Sequence, residues 1–404
     1  MSFERFIARR FMPHKGSSSG FSGPLLVIAV TGIALGVVVM VMAVSILRGF
    51  QQDITDKVVG FGSHLTVTAY DAGTPYTEMP VTVDSVLTDR MASVPGVRNL
   101  QTFATKGGMV KTDEQIYGIL LRGLSDDYDT TFYATCLVDG HLPATTNDVL
   151  LSTTVSAKLG LHTGDKMRTY FWQGDSYRSR AFNISGLYNT DLTEMDELYV
   201  IGSLRTVQRL NDWDSSQVGG YELLVDDYRH LDDISYNVGQ ILPYDLRLTT
   251  ITQAHPALFS WLDLLNTNIT LILAIMCLVS AVAIVSALLI MIFEKSATIG
   301  LLKALGATNL SVRRIFLLKA SQLILIGIAI GDLVALALSL AQQHWQLVRL
   351  DPESYSMSHV PVLIDPWVYL LVSLGTLAVC LLALLLPTAG ISRINPANTM
   401  KTEN

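Results

Sequence analysis

Two places in the sequence carry groups able to do more than pack, and neither is a catalytic constellation. Asp332 stands alone in an apolar run bracketed by Lys319 and Arg349. A carboxylate inside hydrocarbon is costly, so such a residue is partnered or functional. It either pairs with a polar group on a neighbouring helix or subunit, or relays a proton or ion; a relay calls for a second intramembrane charge, which the run lacks. The second place is the segment Ile299, Gly300, Leu301, Leu302, Lys303, Ala304, Leu305, Gly306, Ala307, Thr308. Ile299, Leu302 and Leu305 repeat at i, i+3 and i+6, and Gly306 is a natural helix stop, so the spacing predicts a short amphipathic helix. An apolar face with a basic flank suits a lipid surface or a groove on a soluble partner.

Covalent chemistry finds no footing. There is no Gly-x-x-x-x-Gly-Lys-Ser/Thr loop to cradle nucleotide phosphates, no His-Glu-x-x-His and no Gly-x-Ser-x-Gly. His64, His141, His162, His230, His255, His344 and His359 show no metal-ligand spacing. The acidic groups Asp126, Asp127, Asp129 and Asp226, Asp227 read as solvated loops or a calcium site. Three cysteines exclude a disulfide scaffold and a cysteine-based zinc cluster. The expectation is a chain with no enzymatic activity, resident metal or cofactor of its own.

The elements that must position these groups are written in the hydrophobicity. Half of the 404 residues are hydrophobic and 16% are charged, against about 25% charged in soluble domains. Four apolar stretches, 24–47, 266–293, the run between Lys319 and Arg349, and 366–387, each reach the roughly 20 residues that span a bilayer. The first follows Arg5, Arg9, Arg10 and Lys15, as a signal peptide would, but is longer than a signal peptide's apolar region and reads as an uncleaved span. Basic residues concentrate in 1–23, 294–319 and the tail, which puts those segments and both termini in the cytoplasm. The long segment 49–265 then lies outside with 15 Lys/Arg and 28 Asp/Glu, a charge of −13. That acidity argues against a nucleic-acid partner. The expected organisation is an amphipathic amino-terminal helix and joint (1–23), spans at 24–48, 266–293, 319–341 and 366–387, a globular insert at 49–265, a cytoplasmic segment at 294–318, an outer loop at 342–365 and a tail at 388–404.

Within the insert, alternation at 63–69 and strand-like runs at 115–121, 166–172 and 177–185 predict strands, the last two forming a hairpin across Gln173, Gly174 and Asp175. Residues 83–94, 152–159 (stopped by Gly160), 203–210 and 232–241 read as helices. The insert is a mixed α/β module, with a possible division into two lobes near 140–148. Gly32 and Gly36 in the first span, and Gly327 and Gly331 in the third, have the spacing that lets helix backbones approach closely, within the bundle or between copies. Phe3, Phe6, Ile7 and Phe11 repeat at helical spacing among Arg5, Arg9 and Arg10, as an interfacial helix would. Residues 16–20 would be its flexible joint.

Residues Ile299 to Thr308 resemble the signature of the FtsX/MacB-like family of ABC transporter permeases, and the layout of one span, a large outer domain and three more spans is similar. The stretches Phe6 to Arg10, Gly32 to Val37, Arg48-Gly49-Phe50, Leu159 to Asp165, Phe182 to Tyr188 and Asn395-Pro396-Ala397 resemble the lipoprotein-releasing LolC/LolE subunits within it. The resemblance implies an α-helical membrane protein with four transmembrane helices and a large mixed α/β periplasmic domain between helices 1 and 2, in the bacterial inner membrane. It implies a cytoplasmic ATPase dimer docked on the helix at Ile299 to Ala307, with ATP and magnesium held by that partner. It implies a second permease subunit, identical or different, a lipoprotein substrate, membrane lipids and a periplasmic carrier. An acyl-chain cavity would be walled by Met40, Met42, Val44 and Ile46 on one span and Ile269, Leu273 and Met276 on the next. Trp172, Gln173, Gly174 and Asp175 correspond to the carrier-docking hairpin, without the prolines of LolC-type subunits. Thr298 stands where the family often has an acidic residue. An efflux permease of MacB type and a regulator of a wall hydrolase are the alternatives.

Overall fold

The structure is a computed structural model that describes residues 22–70, 78–112, 115–173, 176–351, 355 and 357–390. The amino-terminal helix, the joint at 16–20, the tail residues Asn395, Pro396 and Ala397, and Gly174 and Asp175 lie outside the described residues. In chain order the elements are α1 (Ser22–Phe61), β1 (Leu65–Ala69), β2 (Val81–Thr82), α2 (Ser85–Ala92), β3 (Val97–Lys111), β4 (Ile116–Leu124), α3 (Thr131–Thr135), β5 (Leu137–Gly140), β6 (Asp148–Ser152) and α4 (Thr153–Leu159). They continue with β7 (Lys166–Gln173), β8 (Ser176–Tyr188), α5 (Thr193–Asp196), β9 (Tyr199–Ser203), α6 (Leu204–Leu210), β10 (Gln217–Val218), β11 (Gly220–Val225), α7 (Leu231–Gly239), β12 (Leu246–Thr250) and α8 (Ile251–Ala254). The last are α9 (Pro256–Glu294), α10 (Ser296–Ala304), α11 (Asn309–Trp345), α12 (Pro366–Ala383) and α13 (Leu385–Gly390). The described residues divide into a helical unit (those within 1–51, 261–348 and 360–404) and an α/β unit (those within 52–260 and 349–359).

The α/β unit is built on one large sheet, ordered β12-β1-β11-β3-β4-β9-β6-β8-β5, with β2 and β10 paired in a separate two-stranded sheet. β7 pairs with both β8 and β3, so β3, β4, β9, β6, β8 and β7 close into a ring. Closure depends on a close approach, since a Cβ on Gly108 of β3 would lie 2.7 Å from the Phe171 ring of β7. Phe171 in turn meets Phe182 edge-to-face at 6.2 Å, and both are buried. A division near 140–148 is not found. β8 spans 13 residues and pairs with β5 and β6 on either side of that segment, which makes it a connection within one sheet. Local signals act as expected at α4: Ser152 Oγ accepts the Val155 N–H at 3.0 Å, and Gly160 ends the helix in the left-handed region (φ 65°).

The centre of this unit holds a charge. Arg122 of β4 donates to Glu222 of β11 at 2.6 Å, and Tyr128 Oη donates to the other Glu222 oxygen at 2.7 Å. The guanidinium is flanked by the Phe61 and Phe103 rings at 5.4 and 5.2 Å. These groups line part of a cavity of about 310 Å³ whose other walls include Leu120, Met195, Tyr199 and His255.

Among the described residues, four helices are long and apolar enough to cross a membrane: 26–61 within α1, α9, α11 and α12. The core of the helical unit joins Ile33 and Val37 of α1, Ile284 and Leu288 of α9, Phe316 and Ile324 of α11, and Cys380 of α12. Other leucines of the same helices, such as Leu278, Leu333 and Leu371, face outward at 60–70% exposure. Apolar faces of that extent need lipid or a partner.

Candidate functional site

The segment after α9 folds as a helix, but the face it presents differs from the expected stripe. α10 runs Ser296–Ala304, with Leu305 as its C-cap and Gly306 at φ 95°. Gly306 N–H bonds Lys303 O at 3.0 Å and Ala307 N–H bonds Leu302 O at 2.9 Å, the paired bonds that satisfy a helix's last carbonyls. Thr308 then caps α11, accepting the Ser311 N–H at 3.2 Å. Ile299 is fully buried in the bundle core beside Val312 and Phe316, and Gly300 is buried with it. Leu302, Lys303 and Ala307 are half-buried, and Ala304 and Gly306 are exposed. The outward apolar residues are Leu301 (57%) and Leu305 (77%), joined by Leu310 (57%) at the start of α11. The reason is angular. Each residue turns a helix by about 100°, which sets 301 and 305 within about 40° of each other and opposite 299. Ile299 anchors the helix in the core, while the two leucines face outward.

The glycine pairs lie at helix crossings inside this chain. A Cβ on Gly331 would lie 2.8 Å from the Ala34 carbonyl oxygen and 2.8 Å from Val37 Cβ, and one on Gly327 2.9 Å from Ile33 Cγ2, so both face α1. A Cβ on Gly36 would collide with Ser280 Oγ of α9, whereas Gly32 has ordinary clearance, 3.5 Å to Ala283. Substituting Gly331 with leucine must therefore separate α1 and α11. The expected result is a destabilisation on the order of 2–3 kcal/mol, read as a lower melting temperature of the purified chain, whereas G32A should sit near wild type. Asp332, next to this crossing, accepts a hydrogen bond from Ser373 Oγ of α12 at 2.7 Å. A partner on a neighbouring helix is thus in place.

The residues expected to wall one acyl-chain cavity do not share a face. Met40 is 1% exposed and its sulfur lies 3.6 Å from Cys277 Sγ of α9, inside the core. Met40 is therefore a core residue within this chain, filling the gap as methionine does. Met42 turns the other way, its sulfur 3.3 Å from Ser339 Oγ of α11. Leu273 and Met276 pack on the edge of the core, and Val44, Ile46 and Ile269 are half-buried.

In the α/β unit, the hairpin β7–β8 pairs Trp172 with Tyr177 and Gln173 with Ser176. The Trp172 and Tyr177 rings meet edge-to-face at 4.7 Å, and each is more than half exposed. Tyr177 is the aromatic partner that the sequence reading missed; its cross-strand position opposite Trp172 could have revealed it. Three members of the acidic groups are engaged: Asp126 pairs with Arg205 of α6, Asp227 with Arg229 at 2.8 Å, and Asp129 accepts the Thr131 N–H at 3.1 Å.

Comparison with known proteins decides the family. The MacB-like periplasmic core domain model matches residues 26–235, more than half of the chain, and the FtsX-like permease C-terminal model matches 270–396. The chain belongs to the FtsX/MacB-like permease family. LolC of Xylella fastidiosa, a lipoprotein-releasing system transmembrane protein, is 23% identical over 95% of this chain and 95% of its own length. LolE of Haemophilus influenzae is 21% identical over 92% of each. Among solved structures, the periplasmic region of MacB from Actinobacillus actinomycetemcomitans aligns with 50% of this chain and 95% of that one at 11% identity and a TM-score of 0.34. FtsX/MacB-like permeases are the non-catalytic subunits of ABC transporters, and membership together with four apolar helices makes this chain an inner-membrane protein.

Proposed function

We propose that this FtsX/MacB-like permease is the membrane subunit of an ATP-driven complex that extracts lipoproteins from the outer leaflet of the inner membrane and passes them to a periplasmic carrier. The observation that carries this reading is the alignment with LolC and LolE over nearly their whole length, through both the outer domain and the spans. Neither the efflux nor the wall-hydrolase reading has such support.

In this reading both termini are cytoplasmic and the α/β unit is periplasmic. A cytoplasmic ATPase dimer grips Leu301 and Leu305 of α10. Ile299, rooted in the bundle core, carries the push into α11, and the Gly327/Gly331 crossing passes it to α1. Acyl chains cling to lipid at about 0.8 kcal/mol per buried CH₂, so lifting them requires coupled ATP hydrolysis. The chains would lie against the half-buried Val44, Ile46, Ile269, Leu273 and Met276 as two permease subunits part. The exposed Trp172 and Tyr177 would receive the carrier. ATP and magnesium act in the ATPase. Affinity purification of the chain in nanodiscs tests this: an ATPase and a triacylated protein should copurify, and an ATPase with an adaptor or wall hydrolase instead of a lipoprotein would overturn it.

A further inference from the structure

Arg48 is the first charged residue of α1, placed where its apolar run ends. An arginine there would ordinarily reach for water with its side chain extended. Instead Arg48 Nη1 donates to Asp365 Oδ2 at 2.5 Å. Asp365 is the N-cap of α12, and its second oxygen accepts the Trp367 N–H at 3.0 Å. One carboxylate thus both starts the fourth apolar helix and holds the end of the first.

The neighbouring contacts converge on the same place. A Cβ on Gly49 would lie 2.6 Å from the Pro361 carbonyl oxygen and 3.1 Å from Val362 N, so only glycine admits the segment 360–365 this close. Leu363 N–H bonds the Ser45 carbonyl of α1 at 3.0 Å. From α11, Gln343 Nε2 bonds Val362 O at 2.8 Å and Gln342 Nε2 bonds Val360 O at 3.1 Å. The segment before α12 is therefore clamped between α1 and α11. Arg48–Asp365 is the ion pair of this clamp, and Arg48 remains about 44% exposed. The backbone bonds and Gly49 supply the fit. The charge pair adds a direct side-chain tie between the end of α1 and the cap of α12.

We infer that Arg48 and Asp365 are positioning residues for transport, tying the ends of α1 and α12 so that movement delivered to the bundle reaches the release step. This rests on the proposed lipoprotein-release function. The pair acts through helix placement, with no contact to nucleotide required, so its loss uncouples: ATP hydrolysis continues while release falls.

The test is a double-mutant cycle in the full complex, reconstituted with its ATPase in proteoliposomes, using Arg48→Gln, Asp365→Asn (which keeps an N-capping side chain) and both together. Each single variant should lower ATP-dependent release about tenfold with hydrolysis retained, and the double should be no lower than either single. Arg48→Lys, which keeps the charge, should stay within about threefold of wild type. Wild-type release by R48Q, or a double variant whose loss is the product of the two singles, would overturn the inference. If the wild-type complex releases no lipoprotein, the release reading fails by itself; the tie is then read from melting of the solubilised chain, where additive losses in the same cycle would overturn it.

Discussion

Replacing Leu301 and Leu305 together with aspartate should strip the complex of its ATPase and abolish transport while leaving the permease folded. Both side chains are more than half exposed and none of the core depends on them. Burying a leucine in a partner's groove contributes about 1.5–3 kcal/mol. Two lost leucines, plus two carboxylates to be desolvated at the contact, correspond to a loss of at least a hundredfold in affinity. The amount of ATPase retained on the purified permease measures it. Retention at wild-type level, with melting unchanged, would contradict the assignment of this face. Ile299→Asp is the contrasting variant. It introduces a charge into the bundle core, so it should lower the melting temperature as well.

Replacing Arg122 with methionine should be the most damaging single change in the α/β unit. Glu222 is 2% exposed and would be left without its cation. Breaking a buried pair from one side costs roughly 3–5 kcal/mol, whereas replacing both partners by apolar groups of similar size is often close to neutral. R122M alone should unfold the unit at a distinctly lower temperature, and R122M/E222L should recover most of the loss. Equal melting of single and double variants would show that the pair is not what holds β4, β11 and Tyr128 together.

These two sites differ in how far the sequence announces them. The four spans are legible because the bilayer sets their length and an uncharged run of that length has few other uses. The α4 boundaries and the β7–β8 hairpin are legible because their signals, Ser152, Gly160 and two strand-like runs flanking a short Gly-containing turn, lie within a few residues of what they control. Arg122 and Glu222 are a hundred residues apart, and each alone resembles a surface charge. Only the pairing of β3 with both β4 and β11 brings their strands together. Closure of the ring through Gly108 and Phe171 is hidden for the same reason. At α10 the composition announces an amphipathic helix, but spacing alone does not give its outward face. The i, i+3, i+6 stripe drifts around the helix, and the bundle core claims Ile299 and leaves Leu301 and Leu305 outside. The methionines of α1 teach a related lesson, since Met40 and Met42 are two residues apart and therefore point to different neighbours.

The most direct measurement is ATP-dependent release of a radiolabelled triacylated lipoprotein from proteoliposomes holding this permease, its ATPase and a soluble carrier. The account requires the lipoprotein to appear in the soluble fraction bound to carrier when ATP is hydrolysed, and to stay in the membrane when L301D/L305D replaces the wild-type chain. Hydrolysis with the lipoprotein retained in the membrane by the wild-type complex would contradict it.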